Sequence, residues 1–390
     1  MFSSRLTWDL TQNRLTRLLE SKRLAGTVLL DLTESNPTRA KLPYPRKEII
    51  EALRDERCLS YDPHPLGLPE ARQAVTAYYD ARGRAVDPER VLLASSTSEA
   101  YSWLFKLLAD PGDAVLVPRP SYPLFDYLAS LESVRAQPYE LAVPRGREGW
   151  RVDLDSISRA AEPRARALIV VNPNNPTGSF LKSPELGPVL DLCEERGLAI
   201  ISDEVFSDYP LREDPLRVES LAGTSSALTF ALGGLSKAAG LPQMKLAWIA
   251  ASGPEPVLTE ALSRLELIAD TYLSPAAPGQ LAAARLLDLR GIIQGGIRAR
   301  LAENLAVLRE AAATGGAFGM LDVEGGWYAI LRWASPCPEE ELVLDLLERR
   351  DLVVHPGYFF DFPEETFLVI SLLTPPETFA EGMRRLIERP

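Results

Sequence analysis

Histidine and cysteine are scarce in these 390 residues: two histidines, His64 and His355, and three cysteines, Cys58, Cys193 and Cys337, none at metal-ligand spacing. That scarcity excludes a cysteine-cluster metal site and a disulfide framework, and the odd cysteine count points to reduced thiols. No apolar run is long enough to cross a bilayer, and Met1-Phe2-Ser3-Ser4-Arg5 meets charge before any stretch of the kind a secretory signal carries. Positive charge is in deficit, 42 Lys and Arg against 54 Asp and Glu for a net charge of −12. No basic run offers a groove for nucleic acid, so the acidic balance reads as solubility. The expectation is a cytoplasmic chain without membrane or nucleic-acid partners. Internal repeats and low-complexity tracts are also missing.

Hydrophobic residues make up 46% of the chain, enough for a large core, and the length suits two domains better than one. Short apolar runs recur between helical patterns at Val91 to Ala94, Ala114 to Val117, Ala167 to Val171, Ala199 to Ser202, Ala227 to Ala231 and Leu246 to Ala250. Such alternation predicts an α/β fold, a mostly parallel sheet sandwiched by helices. Ala284 to about Thr314 reads as one or two helices leaving that unit, with Gly291 and the Gly295-Gly296 pair as the only breakers. Two more runs, Gly325 to Leu331 and Phe367 to Leu373, read as strands of a smaller α/β domain. The expected division is 1–45 for an N-terminal arm that joins the small domain, 46–283 for the large domain and 284–390 for the small one.

Three motifs follow the ends of predicted strands: Asn172-Pro173-Asn174-Asn175-Pro176-Thr177-Gly178, Asp203-Glu204-Val205-Phe206 and Gly234-Leu235-Ser236-Lys237. In open sheets ligands gather beyond the carboxyl ends of strands, so the three belong to one candidate site. A lysine, an acid and an amide suit pyridoxal phosphate: lysine joins an aldehyde as a Schiff base, the acid pairs with a protonated pyridine nitrogen, and the amide donates to a phenolate. Each residue also has a plainer reading. Lys237 serves equally as a solvated side chain, Asp203 as a helix N-cap, and Asn175 as part of a tight turn set by Pro176 and Gly178. Ser95-Ser96-Thr97-Ser98-Glu99 opens a helical pattern after a strand, which makes it either a phosphate cradle or a capping box of Ser96 with Glu99.

Together these strings resemble the class I/II aminotransferases of fold type I, over roughly residues 30 to 375. The resemblance implies pyridoxal 5'-phosphate as cofactor and an amino donor with a 2-oxo acid acceptor as substrates. It also implies a homodimer with composite active sites. Lys237 is implied as Schiff-base lysine and proton carrier, Asp203 as partner of the pyridine nitrogen and Asn175 as donor to the ring oxygen. Ser96, Thr97 and Ser236 are implied at the phosphate, Tyr122 flat on the ring, and Tyr61 as the residue that reaches the neighbouring subunit's phosphate.

Four matched positions depart from that pattern. Lys245 stands where a phosphate-binding arginine is usual, keeping the charge without the two-pronged fork. Gly234 replaces a serine, removing a hydroxyl donor. Phe206 replaces a tyrosine whose phenol shares the ring oxygen with the asparagine, which predicts a more basic imine. Val369, in Phe367-Leu368-Val369-Ile370-Ser371, stands where an arginine clamps the substrate carboxylate, leaving Arg119 and Arg332 as candidate substitutes. Trp327, Tyr328, Tyr358, Phe359 and Phe360 near the mouth point to an apolar or bulky substrate. The leading function is transamination; a lyase or decarboxylase using the same electron sink, or a non-catalytic cofactor-bound protein, are the alternatives.

Overall fold

The computed structural model describes residues 1–143, 149–314, 318–334, 337–362 and 366–388. Its main sheet has eight strands in the spatial order Val91–Ala94, Ala247–Ser252, Thr229–Gly234, Ala199–Asp203, Ala165–Val171, Ala114–Arg119, Arg135–Ala142 and Arg151–Val152. From Thr229–Gly234 through Arg135–Ala142 all neighbours are parallel. Ala247–Ser252 opposes both of its neighbours, and Arg151–Val152 opposes Arg135–Ala142. The sheet is thus mostly parallel, as the runs predict, with one reversed strand inside it and one at its edge.

Burial explains the strand composition. Every residue of Val91–Ala94, Ala199–Asp203, Thr229–Gly234 and Ala247–Ser252 is buried, because helices cover both faces and no strand side looks onto water. Side-chain alternation then divides the core. Leu92 and Ala94 pack with Leu104, Leu258 and Leu265 of the helices Thr97–Leu108 and Glu255–Tyr272, while Val91 and Leu93 face the opposite cluster.

Arg135–Ala142 escaped anticipation because Arg135, Gln137 and Glu140 interrupt its apolar residues, as suits a strand near a sheet edge. The expected strand at Ala227 begins instead at Thr229 and continues through Gly233-Gly234. In the long helix Arg290–Ala313 the Gly295-Gly296 pair breaks nothing. Gly296 there lies against Pro43, whose Cδ would stand 3.2 Å from an added Cβ, so the small residue serves packing.

A second, antiparallel sheet joins Phe318–Met320, Tyr328–Trp333, Phe367–Ser371 and His355–Pro356. Its Tyr328 strand starts three residues later than the apolar run suggests. Gly325 meets the Phe180 ring and Gly326 has φ +79°, so the glycines form the turn that delivers the strand. The N-terminal segment returns here: Leu30–Asp31 pairs parallel with Leu352–Val353, and the Ser371 N–H donates to Leu32 O at 2.7 Å. Among the described residues no helix is long and apolar enough to cross a membrane.

Candidate active site

Asp203 is the last residue of its strand, Lys237 lies three residues past Gly234 on the short helix Leu235–Ala238, and Asn175 follows the strand ending at Val171. Adjacent parallel strands carry them to one edge, where they line a cavity of about 350 Å³. Ser96, Thr97, Tyr122, Phe206 and Ser236 line it too, so eight of the sequence-predicted residues meet in one place. Ser35, Ser98, Tyr101, Val205 and Tyr328 also line it, with Val171, Gly234 and Ala247.

Lys237 is held by its backbone. The Tyr209 hydroxyl donates to Lys237 O at 2.6 Å, and Gln294 Nε2 donates to Ala238 O at 2.7 Å. Its Nζ lies 4.7 Å from the Trp327 ring centroid and 5.2 Å from that of Phe206. Desolvation in this aromatic corner lowers the amine from 10.5 to about 8, against a smaller opposing pull from Asp203. At pH 7 about a tenth of such an amine is neutral, against roughly 0.03% of a free lysine.

Asp203, 7% exposed, accepts from the Val205 N–H at 3.2 Å through Oδ1 and from the Tyr101 hydroxyl at 3.0 Å through Oδ2. Burial raises its pKa, and those two donors together with the Lys237 charge oppose the rise. The helix N-cap reading of Asp203 does not hold, because no helix follows it; the bond from the Val205 N–H closes an Asx turn instead.

Asn175 sits in a turn that is rigid for visible reasons. Thr177 Oγ1 donates to Asn174 Oδ1 at 2.9 Å, and the Asn172 amide spans Val218 O and the Leu181 N–H at 2.8 and 2.9 Å. Gly178 has φ +70°, and a Cβ there would lie 2.4 Å from Gly325 O, so only glycine fits. Within this frame Asn175 Oδ1 is buried and has no hydrogen-bond partner among the described residues. A half-turn of the amide exchanges its acceptor and donor ends, so an oriented polar group is left for whatever binds.

The helix Thr97–Leu108 points its N-terminus into the same cavity. Ser96 Oγ accepts from the Glu99 N–H at 3.1 Å, and Glu99 reaches back to the Ser95 N–H at 2.6 Å. Ser96 is therefore the N-cap, while the return bond of the expected capping box goes to the Ser95 N–H instead of that of Ser96; this leaves the Thr97 and Ser98 hydroxyls and the positive helix end at the cavity wall.

Other expected residues lie elsewhere. Lys245 is exposed and does not line the cavity, because φ +49° ends the turn Pro242–Met244 and sends the side chain outward. Tyr61, 79% exposed, lines a separate cavity of about 360 Å³ with Arg57, His64 and Gln280. Arg119 is engaged by Asp361 at 3.3 Å and Asp126 at 3.4 Å, and neither it nor Arg332 is a cavity residue. Val369 is fully buried in an apolar cluster with Ile330, Phe360 and Phe367. Gly234, by contrast, does line the cavity, and an added Cβ there would crowd Ala247 at 3.2 Å, which suits the loss of a side chain.

The model of the family described as aminotransferase class I and II matches residues 27–386. The chain belongs to this family. Over 266 residues, 67% of its length and 65% of the relative's, it is 30% identical to the glutamate-pyruvate aminotransferase AlaA of Escherichia coli strain K12. It therefore spans just under two thirds of that relative. Against the alanine aminotransferase of Mycobacterium tuberculosis strain H37Rv it is 27% identical over 374 residues, 93% of this chain and 85% of that one. The alanine aminotransferase structure from Pyrococcus furiosus superposes with a TM-score of 0.88 at 23% identity, covering 99% and 98% of the two chains, which shows the shared fold.

Class I and II aminotransferases work with pyridoxal 5'-phosphate, and the residues present fit it. The unpartnered Asn175 amide, the buried Asp203 carboxylate and the depressed Lys237 amine surround one cavity with a helix N-terminus at its end. Tyr101, which the motif reading missed, was signalled by spacing alone: it falls one helical turn after Thr97 and so shares its face. Ser35 carried no sequence signal, since only the return of the N-terminal segment brings it to the wall.

Proposed function

We propose that this chain is a pyridoxal 5'-phosphate-dependent aminotransferase that moves an amino group from an amino acid or amine to a 2-oxo acid. The observation that carries this reading is Lys237, an amine lowered to about 8 in a cavity shared with Asp203 and Asn175. Bound there, pyridoxal 5'-phosphate supplies an aldehyde carbon and a ring that takes up an electron pair. Lys237 Nζ is the group that would hold the aldehyde and, when free, would move a proton to and from the substrate Cα. Asp203 would keep a proton on the ring nitrogen, Asn175 would meet the ring oxygen, and Tyr122 would help hold the ring. Thr97, Ser98 and Ser236 would bind the phosphate beside the helix N-terminus.

The same proposal assigns Tyr61 to the phosphate of a second copy, making a homodimer with composite sites, and its 79% exposure supports that use. The aromatic wall of Tyr122, Phe206 and Tyr328 favours a donor with an apolar side chain. Three unpaired thiols accord with a reducing cytoplasm. The pairing of Leu30–Asp31 with Leu352–Val353 supports grouping 1–45 with 284–390 around a 46–283 large domain.

The test is a visible spectrum of the cofactor-loaded protein before and after single amino acids and amines. Loss of the band with one donor, and its return with a 2-oxo acid, is the expected result. A band that no donor changes would overturn transamination.

A further inference from the structure

The Tyr101 hydroxyl donates to Asp203 Oδ2 at 3.0 Å, and nothing in the half-reaction above uses it. Tyr101 is 1% exposed, and its ring is held by Phe105 and Phe125 with centroids at 5.8 and 5.5 Å. Its backbone belongs to the helix whose N-terminus faces the cavity, so the hydroxyl has one place to go. Burial and the nearby Asp203 charge hold this phenol protonated, which makes it the donor and the carboxylate the acceptor.

We propose that Tyr101 is a positioning residue that keeps Asp203 a carboxylate, so that the proton shared between Asp203 and a bound pyridine stays on the ring nitrogen. Resting on the assignment of this cavity to pyridoxal 5'-phosphate, the inference follows from proton competition. A buried carboxylate without donors is a strong base and takes that proton, leaving a neutral pair and a weaker electron sink. A hydrogen bond to the anion lowers its proton affinity and favours the charged pair. With the Val205 N–H on Oδ1 and the Tyr101 hydroxyl on Oδ2, each oxygen carries one donor and retains a lone pair for the ring N–H. Three other titratable groups bear on this pair: Lys237 acts on Asp203, Tyr122 is raised by burial and then by Asp203, and Tyr139 acts on Tyr101. None of them donates to Asp203, and Tyr139 donates instead to Ile169 O at 2.9 Å.

The experiment titrates the visible band of the loaded protein with pH, a readout of the proton on the nitrogen joining Lys237 to the cofactor. Tyr101→Phe raises the midpoint by about half to one pH unit, since a ring nitrogen that loses its proton makes the joined nitrogen more basic. Replacing Tyr101 by a ring-fluorinated tyrosine, a stronger donor of nearly the same shape, moves the midpoint the other way. Opposite shifts from the two variants support the inference, because a merely structural side chain gives no such change of sign. Unmoved midpoints in both, or shifts of the same sign, would overturn it. If the unaltered protein shows no visible band when mixed with pyridoxal 5'-phosphate, the cofactor assignment fails and Tyr101 loses its role with it.

Discussion

Around Glu324 every charge is answered, whereas around Lys237 the polar groups are left incomplete. Glu324, 2% exposed, receives Lys182 Nζ, Arg151 Nη1 and Arg212 Nη2, the last two at 3.2 Å, together with the Phe180 N–H at 3.3 Å. Lys182 is further paired with Asp214 at 2.6 Å and Arg212 with Asp322 at 2.8 Å. Lys237, by contrast, has no carboxylate within ion-pair distance among the described residues, and Asn175 Oδ1 has no partner. The two clusters are neighbours in the fold, since Glu324 begins the Gly325-Gly326 turn that delivers Trp327 and Tyr328 toward the cavity. Buried polar groups are normally satisfied, so an unsatisfied set facing a cavity marks where something binds. The saturated set locks the turn that shapes it.

This contrast is open to breaking at four points. The largest effect is on Lys237: Lys237→Met lowers kcat by at least about a thousandfold with any donor that the parent converts. The protein still folds, because a desolvated amine has been replaced by an apolar chain of similar length. A urea midpoint well below the parent's would contradict that. Next is Glu324→Ala, which takes the carboxylate from Arg151 and one of two carboxylates from each of Lys182 and Arg212, and costs on the order of 1–3 kcal/mol in urea unfolding. If it costs less than about 1 kcal/mol, the saturated cluster is not the lock described here.

The third point is pH. Lys237 has its folded pKa lowered to about 8 from 10.5, so the unfolded chain binds more protons between those values. Stability of the cofactor-free protein attributable to Lys237 therefore rises with pH across that window, by on the order of 2 kcal/mol. The measurement is the difference in unfolding free energy between the parent and Lys237→Met at pH 7, 8, 9 and 10. A difference constant with pH would show that the amine is not desolvated. The smallest effect is on Asn175: Asn175→Ala weakens binding of pyridoxal 5'-phosphate about tenfold by equilibrium titration, yet changes folding stability by less than about 0.5 kcal/mol. A large stability loss would place Asn175 with the structural groups instead.

Most of the main sheet was legible because its inner strands are buried on both faces and so are apolar over most of their length. Val91–Ala94 and Ala199–Asp203 carry that signal in four or five letters. Arg135–Ala142 and the two-residue strands Leu30–Asp31 and His355–Pro356 did not, since their pairing depends on distant partners rather than on local pattern. Reversal of Ala247–Ser252 was equally hidden, because an apolar run reads the same in either direction. At the site, residues at strand ends were found by motif, and Ser35, Tyr101 and the whole Glu324 cluster were not.

Lys237, Asp203 and Asn175 were determined by the sequence itself: each stands in a string whose local geometry, strand end or tight turn, is set by the residues beside it. Their chemistry was determined with them, as an amine, a carboxylate and an amide at the carboxyl edge of a parallel sheet. Tertiary structure alone decided what surrounds them. Only packing desolvates the Lys237 amine between Trp327 and Phe206, brings the Tyr101 phenol to Asp203, and turns Lys245 away from the cavity it was expected to serve. Proton affinities and donor distances depend on neighbours far away in the chain, and local spacing does not encode those neighbours.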